Sequence, residues 1–403
     1  MLLLAFLAQN LAMGLAYGSF GPLLASTEQH FGVTRAVATT GMSLITLAIG
    51  GLSPVMGSLM QKVPLRTAMI GGAVLSAVGY WGLAVTSSFE LALLMYGLVG
   101  TGVCLTAILG PLTLINRWFV GDRAKMLGIV NLPIVLFVTP FIVAELLPTA
   151  GRFAILGGIG TAFLFLVPLL LMIVEYPAQV GQTPRGAAAP GATASVATSE
   201  QRLPTRSILA SPSFWLLSIG IGIMAGSGTV YVVHIVPFGM EREMSLQSAS
   251  GLLSVYAGSG IMGNLLFGWI ADRIGPPGAL VLTTFCQALL WAGILQVMGL
   301  PLFLLSALLG ICVVPLTTLH GAALSELVGS ANISRAMGIS YAIKLPFIFT
   351  FAPAAGYLYD ATGGYHAPFL IIVGLLAFAC LCFVLMAMAV RRQGRMPAPV
   401  PAH

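Results

Sequence analysis

Of the 403 residues, 58% are hydrophobic and 7% charged, and the mean hydropathy is +1.01. So little polar surface cannot cover a globule in water, so lipid is the solvent for most of this chain. The net charge of +6 would suit nucleic acid only if the basic residues gathered on one face, and they are instead spread between apolar blocks.

A helix rising about 1.5 Å per residue needs roughly 20 apolar residues to cross a hydrocarbon core of about 30 Å. Blocks of that size cover 3–26, 38–60, 67–86, 90–116, 125–147 and 154–174, then 214–238, 248–271, 278–298, 302–325, 336–358 and 367–390. They predict an all-α membrane protein of twelve transmembrane helices. The opening residues have no basic n-region and stay apolar to about Ala25, which makes them the first span and not a cleaved signal.

Residues 175–213, rich in Ala, Pro, Gly, Ser and Thr, read as a flexible cytoplasmic linker. They divide the chain into bundles at 1–174 and 214–390, with a tail at 391–403. With the N-terminus cytoplasmic, thirteen basic residues fall on the inner side: Lys62, Arg66, Arg117, Arg123, Lys125, Arg185, Arg202, Arg206, Arg273, Arg335, Arg391, Arg392 and Arg395. Only Arg35, Arg152 and Arg242 fall outside, and Lys344 lies inside a span. This asymmetry predicts a multi-pass protein with both termini in the cytoplasm; the short loops, with the resemblance given below, imply the cell inner membrane. All five cysteines lie in apolar spans, where free cysteine is an ordinary buried residue, and no disulfide frame or metal site is expected.

Two signatures recur across the linker. Gly57-Ser-Leu-Met-Gln-Lys62 matches Gly268-Trp-Ile-Ala-Asp-Arg273, and Arg123-Ala-Lys-Met-Leu-Gly-Ile129 matches Arg335-Ala-Met-Gly-Ile339, at offsets of 211 and 212 residues. A shared offset is what a duplicated six-helix unit leaves behind. Two pseudo-symmetric bundles then enclose a central site near the bilayer midplane, with alternating access by rocking of one half against the other.

The stretch Gly268-Trp-Ile-Ala-Asp-Arg-Ile-Gly275 resembles the loop signature of the major facilitator superfamily, which implies a gate role for Asp272 and Arg273. In the first copy Gln61, Lys62 and Pro64 replace the expected Asp, Arg and Gly. Arg123 and Arg335 are further gate candidates. Within the superfamily, Phe31-Gly-Val-Thr-Arg35, Asn116-Arg-Trp-Phe119 and Asp360-Ala-Thr-Gly-Gly-Tyr365 resemble the monocarboxylate transporter and oxalate:formate antiporter group. That likeness implies secondary transport of a small organic anion, by proton symport or anion exchange, in a monomer without a cofactor. A multidrug or metabolite exporter and a transporter-like sensor share the fold; the fifth span, Asn131-Leu-Pro-Ile-Val-Leu-Phe-Val-Thr-Pro140, lacks the glycine-rich motif typical of drug exporters. No Gly-x-Ser-x-Gly, His-Glu-x-x-His or Walker motif supports an enzyme.

Polar residues inside spans are costly and usually face a cavity. Lys344 stands nine residues after Arg335, roughly 13 Å from the inner boundary, and is expected to receive a substrate carboxylate. The resemblance supports this, since Tyr341-Ala-Ile-Lys344 is similar to the antiporter segment whose lysine contacts the dicarboxylate. That family has an arginine where this chain has Asn264, so one cation is missing and a single carboxylate fits better. Asn264 comes to about the depth of Lys344. Tyr256 with Asn264, and Tyr231 with His234, form polar stripes that suggest a cavity face or ordinary interhelical bonding. His234 lies in the outer third, suited to coupling, the outer gate or a structural bond. Asn10 and Tyr17 share a face of the first span, with Tyr17 a stacking candidate.

Overall fold

The computed structural model describes residues 1–60, 62–119, 123–185, 204–329 and 332–393. Almost all of them are helical, as lipid demands, because a backbone without water must satisfy its own N–H and C=O groups. Among the described residues, nine helices are long and apolar enough to cross a membrane. Two bent pairs, Leu2–Gly18 with Phe20–Phe31 and Arg35–Gly51 with Ser53–Leu59, make two more.

One of the nine, Lys125–Leu171, runs for 47 residues, about 70 Å of helix and some twice the hydrocarbon thickness. At Gly151 its backbone leaves the helical region, with φ 75° and ψ 166°, so it is two spans. Twelve spans result. The bent pairs are α1 and α2; then come α3 (Leu65–Val85), α4 (Phe89–Trp118), α5 (123–150) and α6 (152–171). The second half holds α7 (Pro212–Glu241), α8 (Leu246–Ile274), α9 (Pro276–Ile294), α10 (Leu300–Val328), α11 (Ile333–Thr362) and α12 (His366–Gln393). The blocks read from hydropathy coincide with these to within a few residues.

The breaks have chemical causes. In α1 the Ser19 hydroxyl bonds back to the Leu15 carbonyl at 2.6 Å, and Pro22 has no N–H for the preceding turn; the bend is 45°. In α2, Gly50 and Gly51 precede Ser53 and Pro54, and the bend is 50°. α4 passes through a π-helical turn, Cys104–Leu109, ahead of Pro111. α5 stops at Val130 and restarts at Ile134 across Pro133, and α10 is interrupted at Val314 and Pro315.

The end of the bundle that carries Lys62, Arg66, Arg117, Arg273 and Arg335 is termed the basic end. At the opposite end the halves meet closely. A Cβ on Gly21 of α1 would stand 2.8 Å from the Val232 carbonyl of α7, and one on Gly356 of α11 2.8 Å from Ala36 Cα of α2. Deeper in, Ser43 donates to the Phe349 carbonyl at 2.6 Å, and Gly50 faces Leu345. Past this level α2 loses its cover: Ser53–Leu59 contains no buried residue.

α7 and α11 are keyed together. The Phe347 ring fills the notch at Gly222 and the Phe351 ring the notch at Gly226, and a Cβ at either glycine would come within 2.6 and 2.5 Å of the ring facing it.

The first residues of the linker are held against the first half. Glu175 accepts hydrogen bonds from the Arg117 guanidinium and the Arg66 amide, both at 3.1 Å. The Trp118 indole donates to the Val174 carbonyl and the Arg185 amide to the Trp118 carbonyl, each at 2.8 Å. Residues 175–185 are therefore pinned under the first half by Glu175 and Trp118, single residues that composition averages away. Residues 186–203 and the tail from 394 lie outside the described residues.

Candidate functional site

Lys344 sits on α11, eleven residues beyond Ile333, among buried surroundings with 7% of its area exposed. Its ammonium rests over the ring of Tyr341, one turn earlier, at 3.6 Å from the ring centre. Among the described residues no carboxylate pairs with it and no hydrogen bond reaches it. A desolvated ammonium without a counter-ion is an unusual thing to keep in a membrane helix. Tyr341, by contrast, is 42% exposed, so the ring that carries the ammonium has an open side.

The neighbouring face belongs to α10. His320, with 1% exposure, bonds through Nε2 to the hydroxyl of Ser340 at 2.9 Å, and its ring lies 6.0 Å from that of Tyr341. Ser340, Tyr341 and Lys344 fall on one side of α11, so His320, Ser340, Tyr341 and Lys344 make one polar cluster in an apolar wall. His320 escaped the sequence reading. Its only signal was the one that gave Lys344 away, a titratable residue inside an apolar block.

The other predicted residues are dispersed. Asn264, half-buried on α8, makes no hydrogen bond to Lys344 or to any other described residue. Tyr17 is half-buried on α1, just ahead of the bend at Ser19. Tyr231 and Tyr256 are buried and stack on each other at 4.4 Å, with Tyr231 also edge-on to Trp291. They form the aromatic core between α7, α8 and α9, not an open face.

Asn10 has a different task from the one expected of it. Its Nδ2 donates to the Val130 carbonyl at 3.2 Å, and its Oδ1 accepts from the amides of Ile134 and Val135 at 3.0 and 3.4 Å. These are the backbone groups that the interruption of α5 at Pro133 leaves without helical partners. Gln9 reaches Asn131 beside them. Asn10 is a splint across a broken helix, and its amide has nothing left for a ligand.

His234 is likewise fully engaged. Its Nε2 bonds to the Ala352 carbonyl at 2.9 Å and its Nδ1 to the Tyr365 hydroxyl at 3.0 Å. A carbonyl only accepts, so in the neutral ring Nε2 carries the proton and Tyr365 donates to Nδ1. The Tyr365 oxygen in turn accepts from Arg35 at 3.0 Å. Arg35 forks onto Glu28 at 2.7 and 3.1 Å and lies over the Tyr359 ring at 4.0 Å. Asp360 accepts from the amides of Arg35 and Ala36 at 3.3 and 2.9 Å. This network joins α1, α2, α7, α11 and the start of α12 at the end away from the basic residues. Two of the motifs that carried the family resemblance, 325 residues apart, meet in it.

At the basic end, Asp272 and Arg273 are exposed, and Arg273 stacks on Trp269 at 3.8 Å instead of pairing with Asp272. Arg335 is exposed near the start of α11. Arg123 opens α5; its side chain, like Gln61, lies outside the described residues. A small internal void lined by Ser19, Tyr80 and Tyr96 lies within the first half and holds none of the candidate residues.

Twelve apolar spans around an uncompensated buried cation define a polytopic membrane protein of the secondary-transporter kind. The family model of the Major Facilitator Superfamily matches residues 6–300, and the chain belongs to that superfamily. An oxalate:formate antiporter of Oxalobacter formigenes is 24% identical, over 95% of this chain and 90% of its own. Monocarboxylate transporter 12 of Xenopus laevis is 28% identical over 45% of this chain and only 40% of its own length. Monocarboxylate transporter 11 of Homo sapiens is 25% identical over 92% and 80%. Among solved structures, a bacterial homolog of the human lysosomal transporter Spinster, in an inward-facing and unoccupied conformation, superposes with a TM-score of 0.76 at 13% identity, covering 99% of this chain and 98% of that one. The peptide transporter POT in complex with sulfate gives 0.75 at 13% identity, over 97% and 95%.

Proposed function

We propose that the protein carries a small organic anion, a monocarboxylate foremost, across the cell membrane by alternating access, with Lys344 as the substrate's counter-charge. The observation that carries this reading is the Lys344 ammonium, buried against Tyr341 with no acidic partner among the described residues. A carboxylate arriving there would supply the missing charge in a medium where the pairing counts for much more than in water. The names of the relatives, transporters of monocarboxylates and an oxalate:formate antiporter, point the same way.

In this reading the basic end is cytoplasmic, with both termini there, as the charge asymmetry favours. The halves 1–174 and 214–390 rock about the site. The Glu28, Arg35, Asp360, Tyr365 and His234 network latches the outer end, and Asp272 and Arg273, with Arg123 and Arg335, belong to the inner gate. With no acidic partner for Lys344 among the described residues, coupling to protons or exchange for a second anion rests on the lysine, the cluster around it and the substrate itself.

The test is purified protein and proteoliposomes challenged with mono-, di- and aromatic carboxylates and with neutral analogues of each. Stabilisation and uptake of a carboxylate, both lost in Lys344→Ala while the protein stays folded, are the expected result. Stabilisation by neutral or cationic compounds that persists in the variant would move the reading to an exporter of the same fold.

A further inference from the structure

His320 is buried, polar and only half satisfied. Its Nε2 is held by Ser340 at 2.9 Å, while Nδ1 makes no hydrogen bond among the described residues. The second ring nitrogen is therefore free to bond an atom that arrives.

The surroundings favour a visitor. The imidazole and the Lys344 ammonium both lie against the Tyr341 ring, the first at 6.0 Å from its centre and the second at 3.6 Å. Lys344 is also one helical turn past Ser340, so the two groups project from adjacent levels of one face. An anion drawn to the ammonium would thus bring its remaining atoms alongside the imidazole, over the open side of Tyr341.

We propose that His320 is a second substrate-binding residue, held by Ser340, that engages a polar atom of the substrate other than the carboxylate held by Lys344. This rests on the reading of Lys344 as counter-charge. In this arrangement Lys344 selects for negative charge and His320 for what the anion carries besides it. A site built to hydrogen-bond a substrate oxygen discriminates against the analogue that lacks it, because the imidazole is then left unpaired. Ser340 is a positioning residue that fixes the orientation of the ring.

The experiment measures dissociation constants in detergent for propanoate, its 2-hydroxy, 2-oxo and 3-hydroxy derivatives, and propanedioate. The proteins are the wild type, His320→Gln, His320→Asn, Ser340→Ala and Lys344→Ala, each with its ligand-free melting temperature as a folding control. A Gln amide can reach Ser340 as Nε2 does but offers nothing at Nδ1, while Asn does the reverse.

The expected result is that the wild type prefers at least one oxygenated probe to propanoate by about tenfold, the size of one hydrogen bond. His320→Gln should erase that preference and leave propanoate within about twofold. His320→Asn should keep part of it, and Ser340→Ala should weaken it less than His320→Gln. A preference that survives in His320→Gln, or an equal loss for propanoate and its derivatives in the folded variant, overturns the proposal. Carboxylate binding undiminished in Lys344→Ala overturns the counter-charge reading itself, whatever His320 does. A wild type that binds none of the probes sinks both.

Discussion

The carboxylate of Asp360 caps the first turn of α2, accepting from the amide of Arg35 at 3.3 Å and from that of Ala36 at 2.9 Å. Those amides are orphan donors at a helix N-terminus, where a negative charge is also favoured by the helix dipole. Since Asp360 ends α11 and Arg35 begins α2, one carboxylate ties the two halves of the chain. Asp360→Ala should release this end, shifting the balance between its closed and open forms by about tenfold, the worth of one or two charge-assisted bonds. Labelling of a cysteine placed at Thr40, half-buried on α2 one turn past Ala36, should speed up accordingly. An unchanged labelling rate would show that the contact contributes nothing to closure.

Arg35 offers a sharper test of geometry against charge. Its fork onto Glu28 and its reach to Tyr365 require a planar guanidinium. Arg35→Lys keeps the charge yet should lower thermal stability nearly as much as Arg35→Ala. A lysine variant that melts like the wild type would reduce the network to simple charge pairing.

Asn10→Leu should destabilise the folded protein by about 1–3 kcal/mol, because the amides of Ile134 and Val135 and the carbonyl of Val130 lose their partner in an apolar interior. Ligand affinity, measured on the fraction that remains folded, should hold. A selective loss of binding with an unchanged melting curve would return Asn10 to the substrate site.

Lys344 carries the opposite sign. A buried ammonium with no counter-ion is a cost to the empty protein, so Lys344→Met, similar in length and apolar, should raise the ligand-free melting temperature or leave it unchanged. The same substitution should abolish stabilisation by carboxylates. Marked destabilisation in the absence of any ligand would mean the lysine is a structural strut.

Hydropathy made the twelve spans legible, since a lipid solvent imposes a simple rule on every helix. Lys344 was legible for the same reason: a charge inside an apolar block is a signal in itself. What the sequence hid was the identity of neighbours. Asn10 looked like a cavity residue because a polar stripe does not say which helix it faces; its partner is a break that Pro133 makes more than a hundred residues away. Tyr231 and Tyr256 stood on separate helices with similar polar spacing, and each turned out to be the other's stacking surface. His234 sat at the right height for a gate, yet both of its nitrogens were already committed to α11 and α12 by contacts no local pattern encodes. His320 lies on a helix whose interruption at Pro315 changes which way its second half points, so spacing alone could not bring it to Lys344.

The two phenyl rings of α11 seated in the glycine notches of α7 have a mechanical meaning. Teeth one turn apart in matching sockets forbid sliding, so these helices travel as a single lever. Lys344 stands on that lever three residues before the first tooth, and His234 stands on it beyond the second, bonded to Ala352. In the proposed reading, a tug on the ammonium from an arriving anion would be delivered to the far end of the same arm, where the Arg35 and Asp360 contacts tie the halves together.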